Sequence, residues 1–257
     1  MKRGAIILLV LLCFGCEFNI FRKVVKPGED AMTLVFEGER CIAEGDYSCA
    51  LENFTRALEQ NPALSRARAG RVKARFGLQV GIPRIVQFCE KLRGRVYSDP
   101  ERELAPGEPI IQPSDFNFSA TTEGFRAFLN FAKNNFVDLH QIIWGYSDEE
   151  IPRNDPSVNL DFSAIAILTA VLNVQWDYPS FNAFWNDTLH GYYMNLALLE
   201  IPSDAPCLAE MQLYLELANY AVQNAIENSA AHDKTWMYEY KDIICRLIQE
   251  VKFYRSL

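Results

Sequence analysis

The residues that could do chemistry are few and scattered. Three histidines, His140, His190 and His232, stand far apart. None has the His-x-x-x-His or Glu-x-x-His companion through which a helix offers two ligands to one metal ion. Asp187 precedes His190 by three residues and would share a helix face with it, the spacing of an ordinary surface ion pair. No glycine-rich loop is placed to wrap a phosphate, and no serine has the strand-turn-helix setting of a nucleophile. The cysteines Cys13, Cys16, Cys41, Cys49, Cys89, Cys207 and Cys245 complete the reactive inventory. The expectation is a protein without catalytic groups, metal or cofactor, whose function resides in a surface.

Charge narrows what such a surface could meet. The 257 residues carry a formal charge of −8, and loss of a leader containing Lys2 and Arg3 leaves −10. An acidic chain lacks the phosphate-neutralising cations on which nucleic-acid affinity rests, so no nucleic-acid partner is expected. The densest basic stretch, "SRARAGRVKARFG" at 65–77, repeats at helical spacing around small residues and reads as the solvated side of a helix. A composition of 49% hydrophobic and 23% charged residues is that of a globular chain with a real core, in one large or two small domains.

The elements that position these residues begin with a leader. Residues 1–3 are basic at two positions and 5–12 are continuously apolar, too short a run for a transmembrane anchor. Gly15 supplies the small residue of a cleavage site. Cys16 directly after it resembles the lipobox cysteine of bacterial lipoproteins, which is diacylglycerylated with acyl chains such as palmitate and becomes the N-terminus. The pattern departs in having Leu12 four residues before Cys16 rather than three, and such relaxed lipoboxes are similar to those of spirochaetes. An ordinary secretory leader cut near Gly15 is the alternative, and Cys13, behind bulky Leu12, is the poorer acylation site. The resemblance implies a signal peptide at 1–15, lipidation at Cys16, a tether at 16–30 and a place at the periplasmic face of an envelope membrane.

From residue 31 the chain runs "AMTLVFEGERCIAEGDYSCALENFTRALEQNP", with the hydrophobic spacing of two helices joined at Gly45-Asp46. It resembles a tetratricopeptide repeat, a helix-turn-helix unit of about 34 residues. The resemblance is carried by Gly38 where the helices approach, "GDY" at the turn, Ala50 and Ala57 as small residues flanking the large Phe54, and Pro62 closing the unit. It departs at Glu37 and Cys41, where the family prefers a large apolar residue and often an aromatic. Such a unit cannot bury its own faces, so it implies stacked neighbours. Residues 65–98 have the length of a second unit, with Ala67, Gly70, Ala74, Phe88 and Leu92 in phase and Arg84 out of place. Cys41 and Cys49 would lie on opposite helices near the shared turn, where a disulfide is possible but not required.

In this family the first helix of each unit lines a concave groove, which implies that Met32, Val35, Glu39, Ile42 and Ala43 face it. Either a partner's peptide or the chain's own tether or second half would cover so apolar a face. Residues 97–119 hold four of the twelve prolines and no period, and form a connection. Beyond it, helical spacing predicts helices over 121–143, 160–178, 180–199, 206–227 and 233–254, with no sheet. Ser147 and Glu150 have capping-box spacing, so a short helix could begin there. Residues 163–174 are apolar nearly all round, the mark of a helix buried on several sides. Trp236, Tyr240, Ile244, Leu247 and Val251 form one stripe, as on a capping helix. The aromatics Trp176, Tyr178, Phe181, Phe184, Trp185, Tyr192 and Tyr193 read as core rather than as a ligand pocket.

The fold expected is all-α, with tetratricopeptide-like hairpins at 31–96 stacked as a short α-solenoid and a more degenerate helical part at 120–257. By resemblance it would be a non-catalytic scaffold holding another envelope protein. Two other functions stay open: a helical-repeat lipoprotein accessory to a TRAP-type solute transporter, with a ligand cavity in the second half, and a cell-wall enzyme built on a helical solenoid.

Overall fold

The computed structural model describes residues 30–79, 118–119, 121–179, 181, 183–186, 191–194, 200–230 and 234–257, the two strands by their backbone alone. The leader, Cys16, Arg84, Phe88, Cys89, Leu92, His190 and His232 lie outside the described residues. Seven helices and one short hairpin are found among them: α1 Ala31–Ala43, α2 Tyr47–Gln60, α3 Ser65–Gln79, α4 Thr122–Ile143, α5 Pro156–Asp177, β1 Ala183–Asn186, β2 Gly191–Met194, α6 Pro206–Asn228 and α7 Lys234–Arg255. The described residues are therefore all-α apart from the hairpin.

Local chemistry sets most helix starts. Asp30 Oδ1 accepts from the backbone N–H groups of Met32 and Thr33 at 3.0 Å, and Asp46 Oδ1 accepts from that of Cys49 at 2.9 Å. Thr121 Oγ1 accepts from Gly124 at 3.1 Å, and Asp155 Oδ1 from Val158 at 3.0 Å with Pro156 in the first turn of α5. Each of these satisfies donors that a helix start leaves without intrahelical partners. Helix α3 is served from far away. Asp148 Oδ1 accepts from the Ser65 backbone N–H at 3.0 Å and from its hydroxyl at 2.6 Å. The Ser65 hydroxyl oxygen in turn accepts from the Ile151 backbone N–H at 2.9 Å, and the Asp148 N–H donates to the Ala63 carbonyl at 2.9 Å.

Phe54 organises the first three helices. It is fully buried between Gly38 on α1 and Gly70 on α3: a Cβ at Gly38 would come within 2.8 Å of its ring, and one at Gly70 would overlap it. Burying such a ring contributes about 2–3 kcal/mol, and glycine is what lets the helix backbones come this close. Ala50, Ala57 and Ala67 are equally buried around it, with Leu34, Val35, Leu58 and Leu64. The turn ends with Gly45 at φ +77°, and Cys41 and Cys49 are joined across it by a disulfide, their Cα atoms 5.8 Å apart.

Each helix packs on its sequence neighbour from α1 to α7, α1 also touches α3, and α7 meets β2. Ala67 and Ala74 of α3 belong to the N-terminal cluster, while Val72 joins the larger cluster of α4 to α7, with Phe76 edge-on to Phe131 at 5.0 Å between centroids. Helix α3 is thus a wall shared by two cores. Helix α5 lies at the centre of the second, with Phe162, Ala166, Leu172 and Val174 wholly buried. It is the one described helix long and apolar enough to cross a membrane, and it is mostly buried inside the protein. Its buried polar groups are satisfied internally: Thr169 donates to the Ile165 carbonyl at 2.7 Å, and Asn159 accepts from Asn224 at 3.1 Å.

Four expectations need correction. The helix expected over 180–199 is not found: Ala183–Asn186 and Gly191–Met194 are antiparallel strands, with Phe184 paired with Tyr193 and Trp185 with Tyr192, because aromatic residues satisfy strand preferences as well as helical spacing. No helix starts at Ser147, whose hydroxyl accepts only from Glu149 at 3.4 Å in a turn; the next helix begins at Pro156 behind Asp155. Val35 is fully buried and cannot line a groove. The basic side of α3 is not a solvated face, as its arginines show.

Candidate functional site

Two sets of side chains stand out, one on each flank of α3. On the α1 side, Phe36 is 55% exposed, with the Arg66 guanidinium 5.1 Å from its ring centroid. Arg66 donates to both carboxylate oxygens of Glu39 at 2.7–3.1 Å and lies 3.8 Å from Glu150. The hydrogen bonds to Glu39 hold the Arg66 guanidinium above its ordinary value. These residues form an exposed strip across α1, α3 and the segment after α4. Of the expected groove positions, Glu39 belongs to this strip, Ala43 is exposed, and Met32 and Ile42 are half-buried against the N-terminal cluster. Phe36, not assigned a role from the sequence, is the apolar residue most open to a partner on α1.

On the α4 side, three arginines converge on one carboxylate. Asp138 is 1% exposed by its side chain, and Arg68, Arg71 and Arg75 are 12%, 19% and 17% exposed. Arg71 grips Asp138 with Nε at 2.9 Å and Nη2 at 2.6 Å, a two-pronged pairing. Arg68 Nη1 donates to Asp138 at 3.1 Å while its Nε and Nη2 donate to the Pro62 carbonyl at 3.2 and 2.7 Å. Arg75 Nη1 reaches Asp138 at 2.7 Å and the Asn134 carbonyl and Asn135 Oδ1 at 3.2 Å. Burial pulls the Arg75 guanidinium below its ordinary value, against the attraction of Asp138 and with the repulsion of Arg71. The sequence carried a signal for this cluster: three arginines, not lysines, at helix spacings of three and four. Their acceptor lies more than 60 residues away, beyond the reach of any local pattern.

Of the aromatic groups expected in the second-half core, the side chains of Phe184, Trp185, Tyr192 and Tyr193 lie outside the described residues, Trp176 is partly exposed and Phe181 is buried. Trp176 stacks on Phe125 at 6.0 Å with Arg126 over its ring, and Phe181 is fully buried with its carbonyl accepting from Gln175 at 3.0 Å. His140 lies among Phe136, Trp144 and Phe162, at 5.8, 5.2 and 6.3 Å between ring centroids. Its burial lowers the imidazole below its ordinary value. Asp161 on α5 is exposed by surface area, yet the chain packed around it withdraws enough water to push its carboxyl up to about 6, Lys73 opposing and Asp155 adding to the shift. Among the described residues no group of three His, Cys, Asp or Glu could hold a metal ion. No family model, curated protein or solved structure matches this chain.

Proposed function

We propose that this protein is a non-catalytic scaffold of tetratricopeptide type, anchored through lipidated Cys16 at the periplasmic face of a bacterial envelope membrane, that holds another envelope protein on its α1–α3 face. The observation that carries it is Phe54 filling the space between Gly38 and Gly70, since a helical hairpin built on that contact recruits the next helix and stacks into a solenoid. Exposed Phe36 beside the Glu39–Arg66 pair supplies an apolar contact with charges at its rim, as partner surfaces do.

The test uses the full chain. Envelopes of the cells that make it are extracted and partners captured with the wild type and with Phe36→Asp/Ala43→Glu, two exposed positions whose change spares the core. A partner lost from the variant alone is expected; identical partner lists overturn the scaffold face. Mass spectrometry of the N-terminus, with and without globomycin, tests the anchor, and an unmodified Cys16 removes it.

A further inference from the structure

The cluster on the α4 side of α3 is overbuilt for a structural clamp. Arg71 alone satisfies both oxygens of Asp138, yet Arg68 and Arg75 are brought to the same carboxylate, so three guanidiniums face one negative charge in a place largely closed to water. Partly buried charges left without counter-charge are costly, and folded proteins compensate them with partners or bound ions. Donors are left over as well. Arg71 Nη1 and Arg75 Nε and Nη2 donate to none of the described residues. Asn135, fully buried and next to Arg75, has its Nδ2 without any hydrogen-bond partner while its Oδ1 accepts from Arg75 at 3.2 Å. A buried amide donor without an acceptor is rare in a folded protein.

An excess of two positive charges, planar guanidinium forks and a spare amide N–H together define a ligand by its chemistry. Guanidinium forks match the paired oxygens of carboxylates and phosphates. We propose that the α3–α4 junction binds a small, doubly charged oxyanion, a phosphate-type or dicarboxylate ion, through Arg71, Arg75 and Asn135. The low exposure of all three arginines excludes a polyanion strand.

The test is thermal unfolding of the full chain at pH 7.5 in inorganic phosphate, in succinate and in chloride at matched ionic strength. A ligand at about 100 times its dissociation constant raises the folding equilibrium constant about 100-fold. The expected result is a thermal midpoint that begins to rise below about 10 mM phosphate or succinate and then climbs with the logarithm of concentration, unlike the effect of excluded salts, which is negligible there and grows in proportion to concentration. Which of the two responds tells phosphate-type from dicarboxylate. Arg75→Gln is expected to lose the response. Asn135→Asp, which places a carboxylate against the excess charge, is expected to lose it too and to unfold at a higher temperature without ligand. An equal effect of all three salts, or a full response retained in either variant, overturns the proposal; if Arg75→Gln does not fold, Asn135→Asp decides.

Discussion

Asp138 shows how one side chain can be read from two sides with opposite results. From the sequence it merely falls within the helix expected over 121–143, and the arginines of 65–77 are a solvated stripe. In the fold it is the shared acceptor of Arg68, Arg71 and Arg75, nearly closed to solvent. Asp138→Asn is expected to destabilise the protein by about 3 kcal/mol, because removing one partner leaves buried charge uncompensated. Urea unfolding measures it. Arg66→Gln, whose pair with Glu39 is substantially exposed, is the control and is expected to cost well under about 1 kcal/mol. The difference between these arginines was not legible, since both kinds occupy one helix with one composition. What separates them is where α4 lies, which no spacing within α3 records. Val35 fails for a related reason: whether an apolar residue on α1 faces a groove or Phe54's cluster depends on the rotation of the helix against its neighbours.

Among the elements, those whose pattern repeats over several turns were legible. Helices α4, α6 and α7 begin and end within a residue or two of the apolar periodicity, and α5 starts earlier because Asp155-Pro156 is a stronger start signal than the first apolar residue. The β1–β2 hairpin was not, because a dozen residues rich in aromatics fit either period and the deciding contact is with α7. The α1–α2 hairpin was read through Gly38, Ala50, Phe54 and Ala57, and it is here that a packing argument has a definite sign. On propensity alone Gly70→Ala would strengthen α3 by up to about 1 kcal/mol. The new Cβ would overlap the Phe54 ring, so the variant is expected to lose about 1–3 kcal/mol instead. Phe54→Leu in the Gly70→Ala background is expected to recover part of that loss, which a double-mutant cycle of unfolding free energies checks.

At the scale of the whole molecule, two cores meet at α3 and their stability is sampled together, so proton uptake anywhere in them moves the entire transition. The folded state holds His140 below its ordinary value of 6.5. As pH falls through that value the unfolded chain binds a proton first, and stability declines. Asp161 acts in the opposite sense: with its folded carboxyl at about 6, the native state takes up its proton before the unfolded chain does, and acidification below that value favours folding. The two windows overlap and the effects oppose each other there, so the histidine's part is isolated by comparing the wild type with His140→Phe. As pH falls from about 7.5 to 6, the thermal midpoint of His140→Phe is expected to rise relative to that of the wild type, which scanning calorimetry at several pH values measures.

The clasp at the start of α3 has a consequence for the order in which the protein is made. The carboxylate that secures Ser65 lies 83 positions downstream. A chain leaving the ribosome therefore carries α1 and α2 complete well before the group that locks the entry to α3 has been translated. The entry to the third helix is thus secured only once the fourth has been translated, though still ahead of α5 to α7.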